Sequence, residues 1–371
     1  MNKKLFLIAP DNLISRIINR GLDFEKYISM DVTNMVSDKY ISIYNYINNY
    51  SNGIIIIPAV ICDEFNIDGL YKELIDIGIE DEKIRFLPFE FYYNEDNISI
   101  KDLKKYDDIS FLNYLEICIN DNCNMNCKGC SHFANLAPKE YNNYENVKKD
   151  FIRLRKLFSH IDKIRIMGGE PLLNSELIKY IKMIKSIYPN TDLRIVTNGL
   201  LLKNISEELI ECIRINNVML DISVYPPMIK SIDSIIDMLR KRNVKIFIEN
   251  IGKFKPILMK KKTKYPYKKL NNCNCINLRD GFLASCPLVF TIKYLNNKYN
   301  DAFNYSLHKI DIYQEDITAK EIKEQLLIPF ELCDYCAHYR DDLEFFNWEQ
   351  RKNNFSLEDW VYEEKNGDKT M

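Results

Sequence analysis

No apolar run in this sequence of 371 residues is long enough to cross a bilayer; GIIIIPAV (53–60) is far short of the ~20 residues a spanning helix needs. The opening MNKKLFLIAPDN carries two lysines, but its apolar stretch is too short for the central region of a secretory signal peptide. The cytoplasm is the expected location. Neither sign of charge dominates, since 51 Lys and Arg stand against 53 Asp and Glu. That balance excludes the basic field of a nucleic-acid binder, and no membrane partner is expected either. Glycine is missing from the first strand-to-helix turn, APDNLIS (9–15). A dinucleotide binder places G-x-G-x-x-G there so that backbone can approach a pyrophosphate. The N-terminal region is therefore expected to serve docking or substrate selection.

What is present is alternation. KLFLIAP (4–10), YISMDV (27–32), GIIIIPA (53–59) and IRFLPFEFY (84–92) read as strands; NLISRIINRG (12–21), SIYNYINNY (42–50) and IDGLYKELIDIGI (67–79) read as helices. The pattern predicts a small Rossmann-like parallel α/β domain over 1–105. KDLKKYDDIS (101–110) reads as a charged linker. A second series of strands follows: NYLEICIN (113–120), DKIRIMGG (162–169), TDLRIVTNG (191–199), VMLDISVYP (218–226) and VKIFIEN (244–250). Amphipathic stretches separate them, which predicts a parallel (β/α) barrel or part of one over 111–262, with its chemistry at the C-terminal ends of the strands. Residues 265–345 form a small Cys-rich region, and 346–371 read as a tail whose end, EEKNGDKTM, is polar and frayed.

Eleven cysteines in a reducing compartment do not make a disulfide framework. Cys62, Cys118 and Cys212 stand alone and read as small buried hydrophobes. Cys123, Cys127 and Cys130 form C-x3-C-x2-C directly after the first strand of the second series. Three thiolates on one loop can hold three irons of a [4Fe–4S] cube and leave the fourth iron open to a small molecule. Spacing alone would also admit an unusual zinc loop. With its position after the strand, and with MGGEP (167–171), TNG (197–199) and ISVYP (222–226) ending later strands, the arrangement resembles the radical S-adenosylmethionine (SAM) enzymes. The resemblance covers roughly 111–340. It implies a partial barrel, a SAM-binding [4Fe–4S] cluster on Cys123, Cys127 and Cys130, and SAM contacts from Gly168, Gly169, Glu170, Thr197, Asn198 and Ser223. It also implies an electron donor such as flavodoxin or ferredoxin. His132, next to Cys130, is a further candidate contact, whereas His160 and His308 read as solvated or core residues. The family often has an aromatic residue before the last cysteine; Gly129 stands there, so the adenine contact falls to another group such as Phe133 or backbone.

The second cysteine group is Cys273, Cys275, Cys286, Cys333 and Cys336. RDG (279–281) is a turn signal, so Cys275 and Cys286 are expected to face each other across a hairpin, with CDYC (333–336) bringing two more thiols. Four thiolates suit zinc or a fully ligated Fe–S cluster equally well. Behind a radical SAM barrel the pattern resembles the shortened SPASM (Twitch) extension, which implies one auxiliary [4Fe–4S] cluster. Within that group the 2-deoxy-scyllo-inosamine dehydrogenase type is the nearest likeness. Cys275 is preferred over Cys273 as ligand because it lies on the hairpin strand. His338 is expected to pack near this site. The resemblance implies removal of hydrogen from a carbohydrate-like small molecule (sugar, nucleotide sugar or aminocyclitol) with oxidation of an alcohol. Radical epimerisation of a sugar and modification of a peptide are the alternatives.

Overall fold

A computed structural model describes residues 4–9, 14, 17, 20–29, 39–50, 52–59, 67–87, 91, 97–262, 275–300, 302–303, 305–338 and 343–363. It divides into two compact units, Met1–Asn113 with Phe158–Asp162 and Tyr114–Leu157 with Lys163–Met371.

The first unit holds β1 (Leu5–Leu7), β2 (Phe24–Ser29), β3 (Tyr40–Ser42), α1 (Ile43–Asn49), β4 (Ile54–Pro58), α2 (Ile67–Asp76) and β5 (Ile84–Leu87). Its strands pair in parallel in the order β3-β2-β1-β4-β5, the order of the first five strands of a Rossmann sheet. A parallel strand covered on both faces reads as a continuous apolar run, and β4 shows why. Ile55 and Ile57 enter one apolar cluster with Phe6 and Phe86, while Ile54 and Ile56 enter another with Leu5 and Leu7. The stretch read as a linker is part of this unit's packing. Tyr106 is buried and stacks on Tyr71 at 3.8 Å between ring centroids, and Ile109 joins the same cluster. Its alternating charges pointed outward and hid these inward positions. β3 has three residues and was missed, being too short to show a period. The helix expected over 12–21, and Cys62, lie largely or wholly outside the described residues.

β6 (Phe111–Cys118), α3 (Tyr144–Leu157), β7 (His160–Met167), α4 (Leu177–Ile187), β8 (Asp192–Thr197), α5 (Glu207–Ile215), β9 (Met219–Val224), α6 (Ile232–Lys241) and β10 (Lys245–Asn250) succeed one another, all in the second unit apart from the first residues of β6 and β7. Strands β10-β9-β8-β7-β6 are neighbours in chain order, the order of a (β/α) barrel. Leu115, Ile117, Ile164, Ile166, Leu193, Ile195, Leu220 and Ile222 alternate along these strands and are all buried. The apolar stripes of the helices, such as Phe151 and Leu154 on α3, supply matching buried surface.

Short elements complete the unit: β11 (Lys253–Phe254), β12 (Leu258–Met259), β13 (Asn277–Arg279), β14 (Phe282–Ala284), α7 (Leu288–Lys298), β15 (Ile310–Asp311), α8 (Ala319–Leu326), β16 (Phe346–Asn347) and β17 (Val361–Tyr362). The hairpin β13–β14 forms as expected, and β13 continues the large sheet in parallel with β6. Residues 346–362, assigned to a tail from the sequence, are folded: β16 pairs with β11, β17 with β12, and Trp360 is fully buried. Among the described residues no helix is long and apolar enough to cross a membrane.

Candidate active site

The loop after β6 is clamped before it reaches its first cysteine. The Gly169 N–H donates to Asn120 O at 2.9 Å and the Glu170 N–H to Asn122 O at 3.0 Å. The Asn120 side chain spans the same gap, donating to Asn122 O at 2.8 Å and Glu170 O at 3.1 Å. A Cβ on Gly168 would stand 2.5 Å from Asn120 O, and one on Gly169 2.2 Å from Asn122 O. The glycines of MGGEP are thus required by backbone of this chain, whatever else approaches them.

Beyond the clamp the three thiols share one loop within electrostatic reach of one another, though among the described residues no three His, Cys, Asp or Glu side chains are gathered closely enough to hold a single metal ion. The Met125 N–H donates to Cys123 Sγ at 3.4 Å, and the Asn198 amide reaches the same sulfur at 3.6 Å and Asn124 Oδ1 at 2.7 Å. The Trp348 indole N–H donates to Cys127 Sγ at 3.1 Å. Burial pushes the Cys123 and Cys127 thiols up to about 12, with the Met125 and Trp348 N–H groups pulling the other way. Burial also raises Cys130, against the backbone N–H groups of Ala134, His132 and Phe133. Three successive N–H groups of that kind make a concave anion site. His132 itself is half-buried. The thiolate is the reactive form, so alkylation of the metal-free chain at pH 8 should label exposed Cys275 well before Cys123 or Cys127. Peptide mapping by mass spectrometry after short iodoacetamide pulses reads the order; equal rates would contradict the burial.

Glu170 is fully buried. Its Oε1 accepts from Leu172 N–H at 3.0 Å and Thr197 Oγ1–H at 2.8 Å, and its Oε2 from Asn198 N–H at 2.8 Å. Burial raises its carboxyl to about 7 despite these donors. The side chain therefore ties the end of β7 to the end of β8, and three of its roughly four acceptor sites are used by the chain. Ser223 lies on β9, two residues before Tyr225. Sequence reading passed over Tyr225, yet it is close to all three cysteines and to Glu170, each of which raises its hydroxyl's pKa in addition to burial. The signal was available: Tyr225 sits in the ISVYP stretch at a strand end.

Phe133 does not fit the adenine role suggested for it. It is fully buried in an apolar cluster with Trp360, at 5.9 Å between ring centroids, and its backbone has φ 50°. Gly129 has φ +69°, and a Cβ there would meet Phe346 Cζ at 2.6 Å and Asp359 O at 2.9 Å. An aromatic side chain at 129 has no room.

In the second cysteine group, the hairpin ladder ends at Asn277↔Ala284, and Cys275 and Cys286 lie two residues beyond it, Cys275 exposed and Cys286 in a bend. Cys286, Cys333 and Cys336 line one apolar-walled cavity with Leu288, Leu326 and Leu332. Cys273 lies outside the described residues. His338 is exposed, two residues beyond Cys336. Among the remaining histidines, His160 is buried with Nε2 at 3.8 Å from Asp162, and His308 is half-buried. Cys212 is buried on α5, as expected of a lone cysteine.

The strand residues that alternate with the apolar ones are polar. Arg165 Nη1 donates to the Tyr114 hydroxyl at 3.1 Å, and its Nη2 lies 3.2 Å from Asp221. Tyr114 in turn donates to buried Glu116, which accepts from Asn277 at 3.1 Å. Arg194 pairs with Asp192 at 2.7 Å and Asp221 at 3.5 Å. Burial raises the Asp221 carboxyl, opposed by Arg194 and Arg165. Nearer the loop, Arg279 grips Asp121 with two N–H donors at 2.7 and 2.5 Å, and the Tyr294 hydroxyl donates to the same carboxylate at 2.6 Å.

Residues 117–265 match the family model described as Radical SAM superfamily. Among curated proteins, a GTP 3′,8-cyclase of Alkaliphilus oremlandii is 34% identical over 102 residues, 27% of this chain and 32% of that protein. One of Campylobacter jejuni is 38% identical over 102 residues, 26% and 31% of the two chains. This chain thus spans about a third of the length of the curated relatives it matches. Among solved structures, BtrN in complex with AdoMet and 2-DOIA superposes with a TM-score of 0.37 at 15% identity, over 58% of this chain and 87% of that one. The segment from the end of β6 to residue 265, with Cys123, Cys127 and Cys130 on one loop, is a radical SAM domain, the kind of domain that works with a [4Fe–4S] cluster and SAM.

Proposed function

We propose that this chain cleaves SAM reductively and oxidises an alcohol of a carbohydrate-like small molecule. Cys123, Cys127 and Cys130 would hold the SAM-binding [4Fe–4S] cluster. Their fit rests on one loop, electrostatic reach of one another and N–H donors at each sulfur. When bound, cluster and SAM supply a 5′-deoxyadenosyl radical that takes a hydrogen atom from carbon, after one electron has arrived from a donor of the flavodoxin or ferredoxin kind. Gly168, Gly169, Glu170, Thr197, Asn198, Ser223 and His132 would be the SAM contacts, and Tyr225 and Trp348 are added to them from their closeness to the cysteines. Cys275, Cys286, Cys333 and Cys336 would hold an auxiliary [4Fe–4S] cluster of the Twitch kind, with Cys273 the alternative to Cys275. An auxiliary cluster held there would supply the acceptor for the second electron of an alcohol oxidation; the chain's own part is a carboxylate such as Asp221 to take the hydroxyl proton.

The observation that carries the substrate class is the charge balance of the polar strand face. Its two arginines, Arg165 and Arg194, are matched by Asp192, Asp221 and Glu116. With buried Lys163 also acting on Asp221, the described residues of this face carry both signs and offer hydrogen bonds in both directions to a polyhydroxylated molecule. The relatives' name specifies GTP for those proteins, so the two substrate classes are directly comparable. A second reading, epimerisation, is favoured by Cys118. It shares its strand side with Tyr114 and Glu116, and burial pushes its thiol up to about 12, so it keeps the S–H hydrogen that an epimerase returns to carbon. The test is anaerobic turnover of the reduced holoprotein with SAM and a panel of aminocyclitols, sugar nucleotides and GTP in deuterated water. 5′-Deoxyadenosine formation with a carbohydrate, giving a carbonyl product, is the expected result. Stimulation by GTP alone overturns the substrate class; solvent deuterium on carbon without a carbonyl favours the epimerase. No 5′-deoxyadenosine under any condition overturns the whole reading.

A further inference from the structure

The sequence contains two tryptophans, Trp348 and Trp360, and both donate their indole N–H to the cysteine loop. Trp348 Nε1 stands 3.1 Å from Cys127 Sγ, and Trp360 Nε1 3.0 Å from Cys130 O. Backbone contacts run beside them. The Lys128 N–H donates to Glu349 O at 2.9 Å, the Arg351 N–H to Asn126 O at 2.8 Å, and Cys127 forms a bridge with Gln350. The Lys128 ammonium lies 4.8 Å from the centre of the Phe346 ring and 3.8 Å from Asp359, whose other neighbour is Arg351 at 3.3 Å. Gly129 has no Cβ where Phe346 and Asp359 press against it. Behind the segment, the Ile257 N–H donates to Trp360 O at 3.0 Å, and Leu258 bridges to Cys336.

From these contacts we infer that residues 346–360 form a strap closing one side of the SAM-binding cluster, and that Trp348 sets the reduction potential of that cluster through its N–H···S bond to Cys127. The inference rests on the assignment of Cys123, Cys127 and Cys130 as cluster ligands. The physical ground is direct. A reduced cluster carries one more negative charge, spread partly over its thiolates, and a donor aimed at a ligand sulfur stabilises that charge and raises the potential. The indole is the right donor because it has one N–H and no acceptor, and its ring keeps water from the same sulfur. Its neighbour Tyr225 lies 6.0 Å away between ring centroids. Trp360 works differently: it fixes the Cys130 carbonyl and packs with Phe133, Tyr299 and Phe355, so its role is to hold the loop.

Trp348→Phe keeps the ring and removes the donor. Redox titration followed by EPR of the reduced SAM-binding cluster should then show a more negative midpoint potential at unchanged iron content, with a Trp360→Phe control that loses iron more readily and leaves the potential of the retained cluster in place. An unshifted potential in Trp348→Phe overturns the inference. A measurement on the unsubstituted chain guards against a variant that fails to load. With ¹⁵N-labelled tryptophan, pulsed EPR of the reduced cluster should detect a coupled indole nitrogen, and no coupling overturns the inference. A wild-type chain that takes up no cluster on Cys123, Cys127 and Cys130 removes the assignment beneath it, an outcome separate from a loaded cluster with an unshifted potential.

Discussion

With Cys123, Cys127 and Cys130 all replaced by alanine, 5′-deoxyadenosine formation falls to the background of protein without cluster, while about four irons stay bound to the second cysteine group. Each thiolate supplies one corner of a cube, and the open iron exists only while the other three are held. The carboxylate of the same site, Glu170, cannot substitute. Glu170 is fully buried and its oxygens are taken up by Leu172, Thr197 and Asn198. The variant should stay folded, because the clamp of Gly169 and Glu170 on Asn120 and Asn122 precedes the first cysteine and uses backbone. Iron analysis, the visible spectrum and product chromatography check the three parts together. Turnover at the wild-type rate would remove the SAM-cleaving assignment; zinc in place of the remaining iron, after strictly anaerobic purification, would remove the auxiliary cluster.

The second large effect concerns stability. Asp121 and Arg279 are both almost fully buried and paired through two N–H donors. Asp121→Asn leaves the guanidinium with only the exposed Asp280, 3.7 Å from its Nε, and breaking a buried pair from one side costs about 3–5 kcal/mol. For a unit of this size that lowers Tm by on the order of 10 °C, read by calorimetry. Replacing both partners together, as in Asp121→Leu with Arg279→Met, should recover most of the loss, since no charge is then stranded. The pH dependence has a definite sign. Burial raises the Asp121 carboxyl, but Arg279 and Tyr294 more than offset it and hold it below the usual range. A depressed carboxylate pKa contributes stability above the unfolded value of about 3.9 and loses it as pH falls through the folded pKa. The gap between wild type and Asp121→Asn should therefore be constant at neutral pH and close only in acid below about pH 4.

Long periodic elements were legible and short ones were not. β6 to β10 and the helices between them could be read because alternation at two residues and at 3.6 residues persists over six residues or more in each. The clamp glycines and the Thr197–Glu170–Asn198 cluster were found through motifs, although what those residues touch, namely each other and the 120–122 backbone, came only from the structure. The segment from 346 to 362 was illegible for a physical reason. β16 and β17 have two residues each, too few for any period, and their partners lie far away in the chain. Gly129 was noticed as a departure from a pattern, and its cause is that same distant segment. Phe133 looked available because it follows the cysteines; a left-handed backbone turns it into the apolar core instead.

The closure of the cysteine loop by the strap also imposes an order in time. Cys130 and Trp360 are 230 residues apart, and Cys127 and Trp348 are 221 apart. At the usual pace of synthesis the ribosome needs roughly 10–50 s to travel that distance. Throughout that interval the nascent loop has its three thiols but neither indole, and iron delivered then meets a pocket with one side open. The surroundings of the cysteine loop are completed only after that interval, so iron loaded before residues 348–360 exist and iron loaded after them begin from two different sites.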